Sequence, residues 1–402
     1  MNRPLTTLYI DMNSFFSSVE QHFNPELRGR PVGITAVEGS TAGALVAASY
    51  EAKAYGIKTG TLVSDAKRLC PDIILLPSRH KLYVRMNLRI ASVLDEICEL
   101  ERVRSVDEFQ LRLPAPTENV NEAYALVQRL KEAVYGQIGA SLRFSAGLGS
   151  NHLLAKIAGK LEKPDGCKHL WARNMPDAVA HLKPDDLPGI STGTMRKLAA
   201  SGITSISQLY HMDPRHARAV WGSIEGERFV RALQGEQVEL PKTERGGYGS
   251  SKVLSPDFRA PKEAYLVGRW LVEKATGRLR GDGRVASEFS LSMRFLDGSS
   301  WGRSIRCEAS QATHDMLTHH KALWRLAWPF VRGRKLASIS VNLSKVGMIE
   351  DRTGDLLRPL KPAERTKAEI VSAALDQINM RFGPDTISVG VNRPHYGFFE
   401  RG

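Results

Sequence analysis

The 402-residue chain has no apolar run approaching the ~18 residues that a membrane-spanning helix requires, which argues against a membrane partner. Its start, MNRPLTTLYIDMN, lacks the apolar stretch and small-residue cleavage pattern of a secretory signal, so none is expected. Cysteine is scarce. Cys70, Cys98, Cys167 and Cys307 stand singly and no C-x-x-C pair exists, which argues against structural zinc and for a reducing, cytoplasmic setting. No internal repeat or low-complexity segment interrupts the chain. No Gly-rich loop has P-loop spacing, and AGKL at 158–161 falls short of it.

What remains is a chain with an ordinary core-forming fraction, 42% hydrophobic, and a length that suits two to four domains. Its formal net charge is +13. The excess is concentrated: residues 245–345 hold 18 Lys/Arg against 8 Asp/Glu, an excess of ten. A basic block of this kind favours a polyanionic partner, nucleic acid first and an anionic membrane second, over a merely solvated surface.

Periodicity predicts strands at 6–12, 31–37, 72–78 and 142–149, and a strand or hairpin at 103–114. Helices are predicted at 14–23, 43–57, 62–70, 80–100, 120–139 and 151–161. Residues 174–240 read as largely helical, and the Gly-rich TERGGYGSS (243–251) as a linker. Beyond it the pattern is strand 248–254, helix 261–280, strands 285–297 and 300–308, helix 311–328 and strand 335–345. That order is β-α-β-β-α-β. Residues 351–362 read as a loop and 363–382 as a final amphipathic helix.

Acidic residues sit where strands are expected. Asp11 ends the first strand, and Asp107 and Glu108 interrupt RSVDEFQ (104–110). Asp and Glu are poor strand formers, and clustered carboxylates do not all ionise without a counter-charge. A mixed sheet would bring the three together, and hard divalent cations, Mg²⁺ above all, would neutralise them. Strand neighbours point to opposite faces, so Asp107 and Glu108 converge only at a turn, a bulge or a strand edge. The alternative is that both simply pair with Arg104 and Arg112.

Four stretches in this order, LYIDMNSFFSSVEQ (8–21), AASYEAKAYGIKTG (47–60), RSVDEFQLRL (104–113) and SAGLGSNHLLAKIAGKLEKPDG (145–166), resemble the Y-family DNA polymerases, of the bacterial DNA polymerase IV and UmuC kind. The likeness runs from about residue 6 to about 240 and more loosely through the β-α-β-β-α-β segment. It implies an α+β right hand. Residues 1–14 and 78–170 would be a ferredoxin-like palm, 15–77 small fingers and 171–240 a helical thumb. Residues 241–250 would be a linker, 245–345 a DNA-binding little finger, and 346–402 a C-terminal helix and tail. It implies template-directed, low-fidelity synthesis across damaged bases, with no recognisable 3′-exonuclease, by a monomer acting on primer-template DNA and dNTPs.

The same resemblance implies roles. Asp11, Asp107, Glu108 and the Met12 carbonyl would hold two Mg²⁺ ions. Phe16 would be the steric gate that rejects a ribose 2′-hydroxyl, with Phe15 beside it, although core packing is the competing account of both rings. Tyr50, Lys53 and Lys163 would hold the incoming triphosphate. Lys53 stands where Arg is common, Asn13 where Asp is frequent and His152 where Lys is common; none touches the three carboxylates. DDLPGISTGTMRKLAASGITSISQL (185–209) resembles a helix-hairpin-helix, whose amides at Gly189, Ile190, Ser191 and Gly193 would take a DNA phosphate. Arg294, Arg303, Arg306, Lys335 and Lys345 would meet phosphates in the little finger, with alternation turning about half of them away. The nearest match to a sliding-clamp peptide is DLLRPL (355–360), a poor one. Two other functions remain to be weighed: a catalytically idle relative serving as a repair scaffold, and a non-polymerase DNA binder built on helix-hairpin-helix and basic modules. The intact carboxylate set disfavours the first, and the gate and phosphate motifs disfavour the second.

Overall fold

The computed structural model describes residues 3–36, 43–239, 245–352, 362–383 and 385–394. The clamp-peptide candidate at 355–360 and residues 241–244 of the expected linker lie outside them. The chain divides into two units, Met1–Leu240 and Pro241–Tyr396. Among the described residues no helix is long and apolar enough to cross a membrane.

The first unit runs β1 (Leu5–Met12), α1 (Phe15–Phe23), β2 (Val32–Thr35), β3 (Leu45–Ala48), α2 (Tyr50–Lys53), α3 (Val63–Leu69), β4 (Ile74–Pro77), α4 (His80–Asp95), β5 (Leu100–Val103), β6 (Glu108–Thr117), α5 (Val120–Gln137), β7 (Phe144–Gly149), α6 (His152–Leu161) and β8 (Cys167–Leu170). It ends in α7 (Thr192–Ala200), α8 (Ile206–Tyr210), α9 (Pro214–Trp221) and α10 (Ile224–Leu233). Its main sheet has the order β5-β6-β1-β7-β8. β1 is central and antiparallel to both neighbours, while β7 and β8 are parallel.

Strand period decides the faces. Leu8, Ile10 and Met12 of β1 join Phe109 and Leu111 of β6 and Phe144, Ala146 and Leu148 of β7 in one core, packed with residues of α4 and α5 such as Met86, Ile90, Val127 and Leu130. Each of the large side chains among these contributes roughly 1.5–3 kcal/mol by its burial. Tyr9 and Asp11 therefore point to the other face, where α6 lies. That helix approaches closely because β7 offers glycines. A Cβ on Gly147 would fall 2.0 Å from the Ala155 carbonyl oxygen, and one on Gly149 would fall 2.5 Å from the Ala155 nitrogen. Asn151 caps α6 by accepting from the Leu154 N–H, and its amide donates to the Ala232 and Glu236 carbonyls at 2.8 Å, tying α6 to α10. A smaller sheet, β3-β2-β4, and the helical segment 171–239 complete the unit.

Several sequence expectations need correction. Residues 43–57 are not one helix: Leu45–Ala48 is a strand on the edge of β2, and only Tyr50–Lys53 turns helical. The run is Ala-rich but short, and pairing with a buried strand outweighs local propensity. Ser49 marks the switch, its hydroxyl accepting from the Val32 and Ala52 amides. The helix predicted to 100 stops at Asp95, whose carboxylate caps the Leu100 amide as β5 begins. Strand β8 went unpredicted. The first arm of the expected helix-hairpin-helix is only a 3-10 turn, Pro184–Asp186, because Pro188 follows at once. The Gly-rich stretch from Gly247 onward is not linker but strand.

That strand is β9 (Gly247–Val253) of the second unit, followed by α11 (Pro261–Gly281), β10 (Arg284–Phe295), β11 (Ser300–Ser310), α12 (Thr313–Val331), β12 (Leu336–Met348) and α13 (Pro362–Phe382). The β-α-β-β-α-β order holds, and the antiparallel sheet runs β11-β10-β12-β9. One face packs under α11 and α12 through Phe289, Leu291, Ile339 and Val341 with Trp270 and Leu271. α13 docks by polar groups: Arg280 donates to both carboxylate oxygens of Asp376 at 2.6 and 2.8 Å, and Ser372 accepts from the Thr313 amide.

One group in this core is costly. His320 is wholly buried against Tyr265, Trp324 and Phe289, and neither ring nitrogen has a hydrogen-bond partner. Burial, aided by the Arg269 charge, pushes its pKa down to about 3. The ring must be neutral to fold, so the unfolded chain binds the extra proton. Stability of this unit should fall as pH drops from about 6.5 toward 3, by up to ~1.4 kcal/mol per pH unit from this residue. His320→Leu should remove about one proton from that acid-side dependence, as measured by urea denaturation of the full chain across pH 4–7.

Candidate active site

The site begins with register. Asp11 pairs with Glu108 across β1 and β6, and Asp107 precedes β6 in the bend formed by Ser105–Asp107. The bend is closed by the Arg104 amide donating to the Glu108 carbonyl at 2.9 Å, while the Met12 amide donates to the Asp107 carbonyl at 2.9 Å. Asp107 is thus off the regular strand, which resolves the objection that neighbours diverge. The Ser105 hydroxyl sits 2.5 Å from Asp107 Oδ1 and 3.5 Å from Glu108 Oε2, so both carboxylates reach one hydroxyl. Burial raises the Asp107 pKa, and the charges of Asp11 and Glu108 raise it further against the lowering Ser105 bond.

Arg104 and Arg112 do not pair with these carboxylates. Arg104 donates to Gln110, and Arg112 reaches Glu99 and Glu101 at 3.7 Å. Two lysines supply the positive charge instead. Lys163 Nζ lies 2.6 Å from Asp11 Oδ1, and Lys156 Nζ lies 2.7 Å from Glu108 Oε1. Lys156 also donates to the Tyr9 hydroxyl at 3.1 Å, and burial and Glu108 raise the Tyr9 pKa. No three acidic, His or Cys side chains among the described residues stand together as a metal-ligating group. The donor set itself, three carboxylates at one end of two paired strands, is all hard oxygen and fits Mg²⁺-like ions in chemistry.

The residues assigned to the triphosphate gather on the same side. Lys53 donates to the Ser14 hydroxyl at 2.7 Å and lies 4.1 Å from the centre of the Tyr50 ring. Burial lowers the Lys53 pKa and neighbouring Lys163 adds to this, while burial and Asp11 raise that of Tyr50. Phe15 is buried in the core, as its packing alternative had it; Phe16 is only partly buried and stacks on Tyr83 at 4.3 Å and 15°. Tyr83 in turn donates to the buried Glu20, which Arg79 neutralises through both carboxylate oxygens.

Residues whose partners the sequence did not reveal hold this group in place. Asn13 is buried, donates to Ser145 Oγ at 3.1 Å and accepts from the Asp165 amide at 2.7 Å. Asp165, at φ +59°, accepts from Lys131 at 2.8 Å and Tyr135 at 2.5 Å. The loop that carries Lys163 is therefore pinned at both partners. His152 is half-buried at the start of α6 with its pKa pushed down to about 4 by burial and then by Arg104.

Farther along the first unit, Gly189 takes φ +91° in the Leu187–Ile190 turn, and Ser191 caps α7 by accepting from the Thr194 amide. Gly189, Ser191 and Gly193 are exposed, while the Ile190 side chain is buried. In the second unit, cross-strand pairing puts Arg294 and Arg306 on the sheet face away from the helices, with Ser290, Ser292, Ser304 and Ser340 between them. Arg303 pairs with buried Leu291 and so sits on the helix side of an edge strand. Lys335 precedes β12, and Lys345, at φ +52°, is tied to Glu288 at 3.2 Å.

The approach of α6 to β7 gives a test. Gly147→Ala should cost about 3 kcal/mol, because the new methyl meets backbone atoms of Ala155 and Gly159. Gly136→Ala, with no atom within 4 Å in α5, should be neutral or stabilise by about 0.5–1 kcal/mol. Chemical denaturation of the two variants distinguishes them.

Comparison with known proteins places the chain by family and fold. The impB/mucB/samB family matches residues 10–160, and its C-terminal domain matches residues 245–356. DNA polymerase IV of Moorella thermoacetica is 29% identical over 390 residues, 96% of this chain and 95% of that protein. DNA polymerase IV of Bacillus velezensis is 31% identical over 301 residues, 74% of this chain and 72% of that one. Among solved structures, a Y-family DNA polymerase chimera of Dbh and Dpo4 shares the mixed α+β fold at a TM-score of 0.71 and 20% identity, covering 85% of this chain and 99% of that one. The chain belongs to the impB/mucB/samB family, the Y-family DNA polymerases.

Proposed function

We propose that this chain is a DNA-directed DNA polymerase of the translesion class, extending a primer 3′-hydroxyl with dNTPs at low fidelity past damaged template bases. The observation that carries the reading is the Asp11–Glu108 strand pairing with Asp107 at the adjoining bend, ringed by Tyr50, Lys53 and Lys163. On this reading the main sheet is the palm and the β3-β2-β4 region the fingers. The segment 171–240 is the thumb and the second unit's sheet the little finger. Primer-template DNA and dNTPs are the partners, in keeping with relatives that are DNA polymerases IV and with a structural neighbour that is an insertion ternary complex of Dbh DNA polymerase.

Asp11, Asp107, Glu108 and the Met12 carbonyl would hold two Mg²⁺ ions, which would lower the pKa of the primer hydroxyl and stabilise the departing pyrophosphate. Lys163, Lys53 and Tyr50 would bind and orient the triphosphate, so that positioning and electrostatics carry the rate. Phe16, fixed by Tyr83, would close the space that a ribose 2′-hydroxyl needs. Gly189, Ser191 and Gly193 would present amides to a backbone phosphate. Arg294 and Arg306 would flank a flat, hydroxyl-lined sheet face that a duplex can approach closely, while Arg303, Lys335 and Lys345 are the weaker contacts.

Glu108→Gln and Asp107→Ala should each lower primer extension by about 10³-fold or more while retaining primer-template binding. Extension at the normal rate in either would overturn the assignment; binding without turnover in the wild type would indicate a scaffold, and strand cleavage a nuclease. Phe16→Ala should admit ribonucleotides with DNA synthesis retained, read in single-nucleotide insertion assays. DNA affinity should fall steeply with salt, and the Arg294→Ala/Arg306→Ala double variant should flatten the log–log slope by about two.

A further inference from the structure

The second unit carries a groove that the polymerase reading does not use. It lies on the helix layer, opposite the open face of the sheet, where the first turns of α11 meet α12. Pro261, Lys262 and Tyr265 form one wall and Lys321, Trp324, Arg325 and Trp328 the other, around about 390 Å³. That volume is within the ~300–1,000 Å³ of ligand pockets. Its floor is aromatic: Tyr265 meets Trp324 edge-on at 5.2 Å and is backed by His320. Its rim is cationic. No carboxylate lines it, and Lys262, Lys321 and Arg325 form no ion pair with any described residue. Trp328 is 46% exposed. A large ring left in water at the edge of such a groove suits an interaction surface.

We infer that this groove docks an acidic peptide segment of a partner protein, with apolar anchor side chains seated on Tyr265, Trp324 and Trp328 and flanking carboxylates paired to Lys262, Lys321 and Arg325. Charge complementarity selects the occupant: three uncompensated cations around an apolar pit suit an anion that also carries apolar side chains. Single-stranded nucleic acid would need cations strung along a track and several open ring faces. Here the cations encircle one pit, Trp324 is buried, and Trp328 alone of the lining rings is largely open.

The test uses the full chain and a short fluorescein-labelled peptide in which glutamates flank a Leu-x-x-Phe pair. Saturable binding by fluorescence anisotropy is expected. Trp328→Ala and Arg325→Glu should each weaken it by about tenfold, with primer extension unchanged. Peptides with lysines for the glutamates, or alanines for the Leu-Phe pair, should not bind. Both substitutions lie at exposed positions, and unchanged thermal melting of each variant verifies the fold. Absence of saturable binding, or binding indifferent to both substitutions, overturns the proposal. So does displacement of the peptide by oligo-dT in a groove-dependent manner, which would make the occupant nucleic acid. Concentration-dependent dimerisation lost in Trp328→Ala would equally overturn it in favour of a second copy.

Discussion

The antiparallel pairing of β1 with β6 is the constraint on which the site depends. It sets Asp11 opposite Glu108, and the bend that starts β6 swings Asp107 out of strand alternation. Carboxylates so placed repel one another, and this adds to burial in raising the Asp107 pKa. The protein offsets that repulsion locally. Ser105 donates into the bend, Lys156 meets Glu108, and Lys163 meets Asp11. Lys156 can do so only because α6 lies almost on the backbone of β7, and that approach exists only because residues 147 and 149 lack side chains. A packing requirement on one strand thus sets the electrostatics on the next.

Legibility in the sequence followed physical anomaly. Asp11, Asp107 and Glu108 were visible because carboxylates inside apolar strands need an explanation. Lys156 was not, because a lysine on an amphipathic helix is what a solvated face looks like, and only the register of β7 against α6 turns it toward Glu108. Asn13 read as a missing carboxylate near the metals, yet it is a buried tie between β1, Ser145 and the Asp165 loop. No one-dimensional pattern encodes partners 132 and 152 residues away. The run at 43–57 failed for a related reason: its strand is defined by an edge contributed by β2, not by its own composition. In the second unit the long strands and helices kept clean periods, so the element order was legible throughout. Which arginines share a face required the cross-strand register.

The second unit shows how a sheet can separate two kinds of surface. Its inward positions on the two central strands are Phe, Leu, Met, Ile and Val; its outward ones are chiefly Ser, Asn and Gly with arginine near the margins. Small hydroxyl side chains give a face with little relief and little apolar area, suited to a polar, extended partner. The helix layer is the reverse. It sets an exposed Trp328 beside Lys262, Lys321 and Arg325, cations with no ion pair among the described residues. Two faces of such opposite chemistry suit two occupants that do not compete.

Charge in the first unit is arranged for exchange as well as for stability. On the proposed reading, Lys163 has two alternative anions within reach of one flexible stem, the Asp11 carboxylate and a nucleotide phosphate. A nucleotide bound with cations would give Asp11 a counter-charge and offer Lys163 a phosphate. The ammonium would then pass from carboxylate to phosphate with little change in the net charge around it. The pair is a single 2.6 Å contact between side chains 29% and 18% exposed, so the Lys163 stem still reaches solvent. Lys156 differs: it is held by Glu108, by the Tyr9 hydroxyl and by the Tyr9 ring face together. It is built to stay, and Glu108 therefore keeps a permanent cation where Asp11 has a removable one. The asymmetry between the two paired carboxylates is consequently fixed by the fold before any ligand arrives.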